Sequence, residues 1–174
     1  MKGMKIMLIV MVLSFIIAGA WDKVEVIKNS VHFILDPTAG KLLNINYYFG
    51  MIVIVLILTL ITTLAQKYGT DQEELRKIKA EQKILQEEMK KYKEHPAKLL
   101  ELQKKQFEFI PKTMDLTMKP LVYTIVPLIL FFRWFHDYFL TVNFKFFGVL
   151  SWFWFYLIVS IIFSSILRKV FKVV

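Results

Sequence analysis

The chain has 174 residues, of which 56% are hydrophobic, and it contains no cysteine. Because the apolar residues lie in long runs, the composition is typical of a polytopic membrane protein, and the lack of cysteine excludes disulfides, thiolate metal sites and a cysteine nucleophile. The net charge of +9, from 23 Lys and Arg against 14 Asp and Glu, falls mostly beside the apolar runs. The basic residues are therefore expected to orient the chain in the membrane, and not to recognise a specific nucleic-acid sequence.

A short basic start leads into the first apolar run. Lys2 and Lys5 precede the 15 residues from Ile6 to Ala20, which end in small residues. These are the parts of a secretory signal peptide, and a run of 15 residues is short for a membrane span. An uncleaved signal anchor fits residues 1–20 equally well. Both predictions place Trp21 and the residues after it outside.

Residues 21–45 are predicted to lie at the outer membrane surface. Val24, Ile27 and Val31 fall on one helical face, with charged residues elsewhere. This pattern predicts an amphipathic helix that lies in the interface with its apolar stripe towards the acyl chains. The stretch from Asp36 to Gly40 is predicted to be a turn.

Three further apolar segments are predicted to cross the membrane. They cover residues 46–66, 120–140 and 146–167, so the fold class is all-α and integral to the membrane, with a core of three transmembrane helices. In the second segment only 13 residues, about 20 Å of helix, separate Lys119 from Arg133. Snorkelling of both side chains or local thinning of the bilayer would accommodate so short a span.

Residues 67–119 form the one long hydrophilic segment, and they connect the first core span to the second. Within them, residues recur at alternating steps of three and four, which is the a/d seam of a coiled coil. They are Leu75, Ile78, Gln82, Leu85, Met89 and Tyr92 before His95-Pro96, and Leu99, Leu102, Gln106 and Phe109 after it. Because proline disfavours a helical turn before it, the segment is predicted to fold at His95-Pro96 into a coiled-coil hairpin.

The return arm of this hairpin is predicted to end at Pro111, with a less regular connector up to Lys119. Met114 and Met118 lie in that connector. Their flexible apolar side chains suit an adaptable contact surface for an incoming chain or a ribosome, and they suit packing against the membrane surface equally well.

The distribution of basic residues predicts the orientation. Lys and Arg number 13 in residues 67–119 and three in residues 168–174, against three in residues 21–45 and two in residues 133–147. Because cytoplasmic segments are enriched in Lys and Arg, the hairpin and the C-terminal tail are predicted to lie in the cytoplasm of a plasma-membrane protein.

Polar residues inside the three spans concentrate at the cytoplasmic end. Such groups are costly in hydrocarbon unless they are paired or hydrated, so three polar faces at one depth predict a shared recess that water enters from the cytoplasm. The candidate groove residues are Thr59, Thr62, Gln66, Lys119, Tyr123, Ser160 and Ser164. The alternative is that the hydroxyls bind the backbone one turn back or join helices, and that the lysine snorkels.

Catalytic constellations are weak. His32, His95 and His136 are far apart in the sequence, and His136-Asp137 is predicted to be a solvated pair. The sequence contains no glycine-rich phosphate loop and no metal-ligand spacing. We therefore expect no enzyme activity, no cofactor and no metal.

The order of these segments resembles the archaeal YidC-like proteins of the YidC/Oxa/Alb3 insertase superfamily. The resemblance covers residues 22–174 and includes Met118-Lys119-Pro120, Tyr123-Thr124 and Pro127. It implies insertion of nascent membrane proteins into the bilayer through a hydrophilic groove, with a ribosome or targeting factors as partners. The chain departs from the bacterial pattern, because it has three core spans instead of five and lacks an arginine in the first of them.

The sequence thus predicts a membrane insertase or chaperone for short or weakly charged segments. It would work by hydrating the polar part of a client while the apolar part leaves for the lipid. The alternative is a membrane-anchored tether whose hairpin binds a partner coiled coil. A small transporter subunit is disfavoured, because the outer halves of the spans offer no polar path.

Overall fold

The computed structural model describes the backbone of residues 2–174 and the side chains of residues 8–174. The side chains of Lys2 and Lys5, the predicted basic start, lie outside the described residues. The described chain is helical apart from connecting turns and one isolated bridge. Its helices are α1 (Lys2–Ala20), α2 (Glu25–Leu35), α3 (Lys41–Ile45), α4 (Tyr47–Gly69), α5 (Gln72–Lys91), α6 (Pro96–Val142) and α7 (Trp152–Phe171).

Three helices, α4, α6 and α7, are long and apolar enough to cross a membrane, which confirms the prediction of three long apolar helices. The described apolar part of α1 is shorter and covers Leu8–Ala20. Helix α4 packs against both α6 and α7, and α1 packs along α6. Helices α6 and α7 contact each other through aromatic side chains.

The main apolar core lies at one end of this bundle. We call it the α2 end, and we call the opposite end, where α4 leads into α5 and α7 finishes, the α5 end. The buried members of the main apolar core, at the α2 end, are Trp21, Ala39, Leu43, Met51, Ile54, Val55, Trp134, Phe135, Phe139, Phe146 and Phe155. Ring contacts join α6 to α7 here, such as Phe135 with Trp152 at 5.5 Å between centroids. The interior of the bundle at the α2 end is thus filled by packed aromatic side chains.

Helix α3 crosses the start of α4 at backbone contact. A Cβ atom added to Gly50 would lie 2.6 Å from the carbonyl oxygen of Leu42 and 2.8 Å from the Cα of Leu43. Real Cβ atoms do not approach so closely, so this crossing requires glycine. Just before it, Asn46 caps α4, and its side chain accepts hydrogen bonds from the N–H groups of Tyr48 and Phe49.

Helix α6 runs unbroken through Pro111, so the prediction that this proline ends the return arm is wrong. At 47 residues the helix is about 70 Å long. Leu102 and Leu116, on either side of the proline, are both buried. Burying one leucine contributes roughly 1.5–3 kcal/mol, and two can offset the roughly 3 kcal/mol that an interior proline costs. The predicted irregular connector is therefore helical, and Met114 and Met118 lie on α6.

The stretch from Asp36 to Gly40 is a π-helical segment, so the prediction of a turn is wrong. The N–H of Lys41 donates to the carbonyl of Asp36, five residues back. Pro37 has no N–H and crowds the preceding turn, and the wider π turn accommodates it. The chain consequently stays helical from α2 into α3.

The last helix begins at Trp152, later than the predicted start at Phe146. Phe147 and Gly148 have φ values of 52° and 77°, which no helix allows, and Phe146 pairs with Leu150 in a tight turn. The Phe146 ring is fully buried and stacks on Phe155 at 4.1 Å. Phe146 therefore belongs to the aromatic core and not to the span.

Helices α5 and α6 pack against each other beyond the bundle. Asp71 caps α5 by accepting hydrogen bonds from the N–H groups of Glu73 and Glu74. Leu75, Ile78 and Leu85, which belong to the predicted seam, are buried. These three seam residues thus point towards the contact between the two helices, whereas Tyr92 at the end of the predicted seam is 40% exposed.

Candidate functional site at the α5 end

A single guanidinium joins α4 and α7 at the α5 end. Arg168 Nη2 donates a hydrogen bond to Gln66 Oε1 at 2.7 Å, and Arg168 Nε donates to Ser164 Oγ at 3.2 Å. All three side chains are half-buried. Two of the predicted groove residues, Gln66 and Ser164, are therefore brought together by a third residue that the sequence analysis assigned to the tail.

The charge of Arg168 is not neutralised within this group. The hydrogen-bond acceptors of its guanidinium are a side-chain amide and a hydroxyl, and no ion pair to it is present among the described residues. A partly buried guanidinium with neutral partners keeps its attraction for anions, because carboxylates are its strongest partners. The site can therefore receive a polar or acidic group.

A small cavity with both polar and apolar side chains in its lining adjoins the guanidinium. Its volume is about 120 Å³, room for about four waters at roughly 30 Å³ each. It is lined by Gln66, Thr70, Gln72, Leu75, Thr117, Leu121, Arg168, Val173 and Val174. Side chains from α4, α5, α6 and α7 therefore meet at one cavity at the α5 end, and five of its nine lining residues are polar.

Thr59 and Thr62 of α4 satisfy their hydroxyl donors within the helix. Thr59 donates to the carbonyl of Val55 at 2.6 Å, and Thr62 donates to that of Thr59 at 3.0 Å. On α7, Ser160 likewise donates to the carbonyl of Leu157 at 2.9 Å. Each hydroxyl oxygen still has lone pairs that can accept a hydrogen bond. Thr62 and Ser160 are half-buried, whereas Thr59 is buried.

The α6 residues of the predicted groove lie elsewhere. Lys119 is exposed, and Tyr123 is 78% exposed. The α6 residues that line the cavity are Thr117 and Leu121, and at 100° per residue Lys119 points about 200° away from Thr117. The structure thus does not bring Lys119 and Tyr123 to Gln66 and Ser164. Met114 and Met118 are half-buried on the same helix.

The α2 end carries a polar network around Asp137. Its Oδ2 atom accepts a hydrogen bond from Trp21 Nε1 at 2.8 Å, pairs with Lys28 Nζ at 3.0 Å and lies 3.4 Å from His32 Nε2. The prediction that His136 and Asp137 form a solvated pair is therefore wrong for Asp137, whose side chain is 16% exposed. The network joins α6 to α2 and to the segment after α1.

Two further contacts extend this network. Arg133 pairs with Asp22 at 2.8 Å, and Trp134 Nε1 donates to Asp36 Oδ1 at 2.7 Å. A cavity of about 550 Å³ opens beside it, and its lining includes Lys28, Asp36 and Asp137. The hydrogen bond with Asp137 raises the pKa of Lys28 above its usual value. The polar groups of this cavity bind one another, which indicates a structural role.

Arg168 and Asp137 were not among the predicted site residues, although the sequence contains a signal for each of them. Arg168 lies four residues after Ser164, so the two share one helical face. Asp137 is a carboxylate within an aromatic segment, where a partner is expected. The identities of the partners Gln66, Trp21 and Lys28 depend on how the helices pack, and the sequence does not specify that.

The model of one protein family, described as integral membrane protein EMC3/TMCO1-like, matches residues 32–173. The chain belongs to this family. It is therefore a multi-pass integral membrane protein of the Oxa1/YidC superfamily, as the sequence resemblance implies. EMC3/TMCO1 family proteins are insertases and not catalytic enzymes. No curated protein sequence and no solved structure matches the chain.

Proposed function

We propose that this EMC3/TMCO1 family protein moves short segments of newly made membrane proteins into the bilayer. Its place would be the plasma membrane, as in the archaeal YidC-like proteins that the sequence resembles. The α5 end, with α5, the first part of α6 and the tail, would face the cytoplasm. The basic residues of these segments support that orientation.

The observation that carries the proposal is the contrast between the two ends of the bundle. Aromatic rings pack the interior of the α2 end, and the polar side chains of its cavity bind one another. At the α5 end, within the part of the chain that the structure describes, Arg168 meets only the neutral partners Gln66 and Ser164 beside a cavity. A client's polar part would be hydrated at the α5 end while its apolar part leaves between the helices into lipid. The barrier to insertion falls because no polar group enters bare hydrocarbon.

The residues of the proposed path have distinct roles. Thr59, Thr62, Gln66, Ser160 and Ser164 would line the recess together with Arg168, which supplies the arginine that the first core span lacks. Lys119 and Tyr123 would contact the client earlier, from the exposed face of α6, and Met114 and Met118 would meet the nascent chain or ribosome.

The alternative function, a tether for a partner coiled coil, is favoured by a separate observation. Ile84, Leu100 and Phe107, on α5 and the first part of α6, are 61%, 55% and 66% exposed. Exposed apolar side chains on helices outside the bundle suit a partner protein. An insertase requires the recess between the membrane helices for its activity, whereas a tether does not.

The experiment that distinguishes the insertase from the tether replaces polar side chains of the recess. In proteoliposomes supplied with ribosome-made clients, a Thr62→Leu, Gln66→Leu, Ser164→Leu variant should lose protease-protected insertion, because the recess no longer hydrates polar groups. The control is Ile57→Leu, Ile61→Leu, Ile162→Leu, at three exposed apolar positions of α4 and α7. Unchanged insertion by the recess variant, with wild-type helicity, would reject the recess as the path of insertion. Wild-type insertion no greater than that of protein-free liposomes would reject the insertase and favour the tether.

A further inference from the structure

Residues 172–174, the tail segment, turn back from α7 towards α5. Lys172 has a left-handed backbone conformation, with φ 54°, which ends the helix. The N–H of Val173 donates to the carbonyl of Arg168 at 2.9 Å and closes the turn. Because residues with a Cβ rarely adopt this conformation, the contacts that the tail segment makes must hold it.

Two side chains of α5 bind the tail segment through its backbone. Arg76 Nη2 donates to the carbonyl oxygen of Lys172 at 2.7 Å. The N–H of Val174 donates to Gln72 Oε1 at 2.9 Å. Gln72 and Arg76 are four residues apart on a helix, so they form one face. Hydrogen bonds to peptide groups bind an extended chain without requiring particular side chains.

A small apolar surface, which we call the apolar seat, completes the contact between the tail segment and α5. The Val174 side chain packs against a cluster formed by Leu75, Ile78 and Leu116. These three side chains are 3%, 5% and 8% exposed, so the seat is formed where α5 meets α6. Two backbone hydrogen bonds beside an apolar seat are the parts of a binding site for an extended apolar peptide.

The tail segment also borders the recess. Val173 and Val174 line the same cavity as Gln66 and Arg168. Gln72 connects the two regions directly, because its Nε2 donates to the backbone carbonyl of Gln66 at 2.8 Å while its Oε1 binds the tail segment. A chain that approaches the recess from α5 therefore meets the place that the tail segment occupies.

We propose that Gln72, Arg76 and the apolar seat form a docking site for an extended apolar peptide segment. In the resting protein the tail segment occupies this site, and the leading segment of a client displaces it before entering the recess. The inference rests on the proposed function, since the displacing peptide is the client. It adds an entry site and a built-in competitor to the recess.

A reversible lock tests the displacement. The chain has no cysteine, so Leu75→Cys, Val174→Cys introduces the only pair. We expect a disulfide on oxidation, loss of client insertion in the oxidised sample relative to the same protein in reduced form, and recovery on reduction, whereas oxidation should leave insertion by the cysteine-free wild type unchanged. Failure of the disulfide to form, or undiminished insertion by the locked protein, would overturn the docking site while leaving the proposed function intact.

A binding measurement keeps the two proposals distinguishable. Val174→Asp should weaken the hold on the tail segment, because a carboxylate disfavours the apolar seat. A fluorescent peptide with the sequence of residues 169–174 should then bind this full-length variant more tightly than wild type. Adding Gln72→Ala and Arg76→Ala should abolish that binding, whereas the exposed control Lys79→Ala should not. No binding to Val174→Asp would reject the docking site, and binding without insertion by wild type would reject only the insertase.

Discussion

Asp137 shows how one carboxylate determines the packing of several segments. It binds Trp21, Lys28 and His32, which lie in two segments remote from it in the sequence. The Lys28 pKa is raised above 10.5 in the folded protein, first through the hydrogen bond with Asp137. A pKa that is higher in the folded protein than in the unfolded chain stabilises the fold. This stabilisation is fully present below pH 10.5 and is lost only as the pH rises through the pKa of Lys28 in the folded protein. The ion pair therefore persists at physiological pH.

Replacing Asp137 should destabilise the protein. Asp137→Asn removes the charge that Trp21 and Lys28 contact, and losing the charge-assisted hydrogen bond from the buried Trp21 costs about 1.5–3 kcal/mol. We expect a lower midpoint of thermal unfolding in detergent. The matched control is His136→Asn, because His136 is exposed and next in sequence. Equal midpoints for Asp137→Asn and the control would show that the network does not contribute.

At the scale of elements, close backbone approach fixes how α3 lies on α4. The crossing at Gly50 leaves no space for a side chain, since the added Cβ would meet backbone atoms that cannot rotate away. Near the other end of α4, a Cβ on Gly69 would lie 3.0 Å from Pro120 Cβ, so α4 and α6 also approach closely there.

Adding one methyl group tests the crossing. Gly50→Ala should destabilise the protein by about 1–3 kcal/mol, because overpacking forces the two helices apart. The control, Gly19→Ala, introduces the same methyl where no atom lies within 4 Å, and alanine favours a helix. Thermal unfolding of both variants provides the comparison, and a midpoint for Gly50→Ala at or above that of Gly19→Ala would rule out the close crossing.

The continuity of α6 has its own consequence. Because the helix passes through Pro111, Pro111→Ala restores an N–H and should stabilise the protein by up to about 3 kcal/mol, with higher helicity by circular dichroism. Pro96 begins the same helix, where proline is favoured, so Pro96→Ala should bring no gain. If Pro111 ended a helix, both substitutions would behave alike.

Across the whole molecule, the sequence predicts what depends on local pattern. Mean hydropathy identifies the three long apolar helices, and the three–four spacing of Leu75, Ile78 and Leu85 identifies the buried side of α5. It does not predict which distant groups meet. Arg168 reaches Gln66 only because α4 packs against α7, and Thr117 faces the cavity in place of Lys119 because packing sets the rotation of α6.

Local rules also failed where tertiary contacts outweigh them. Pro111 and Pro37 both sit in helical segments, since packing on α5 and a π turn respectively offset the cost of proline. Phe146 lies in a turn because its ring is buried in the aromatic core, where it stacks on another ring. These are the positions where a sequence pattern is weaker than the burial that the folded chain supplies.

The most direct test of the proposed recess is a crosslink between it and a client during insertion. A photoreactive residue at position 66, in protein reconstituted with translating ribosomes, should crosslink to the nascent chain, because a client passing the α5 end must contact Gln66. The same residue at position 52, an exposed apolar site near the α2 end of α4, should crosslink to it much less. Folded protein that gives no crosslink at position 66, or equal crosslinks at both positions, would contradict the recess as the path of insertion.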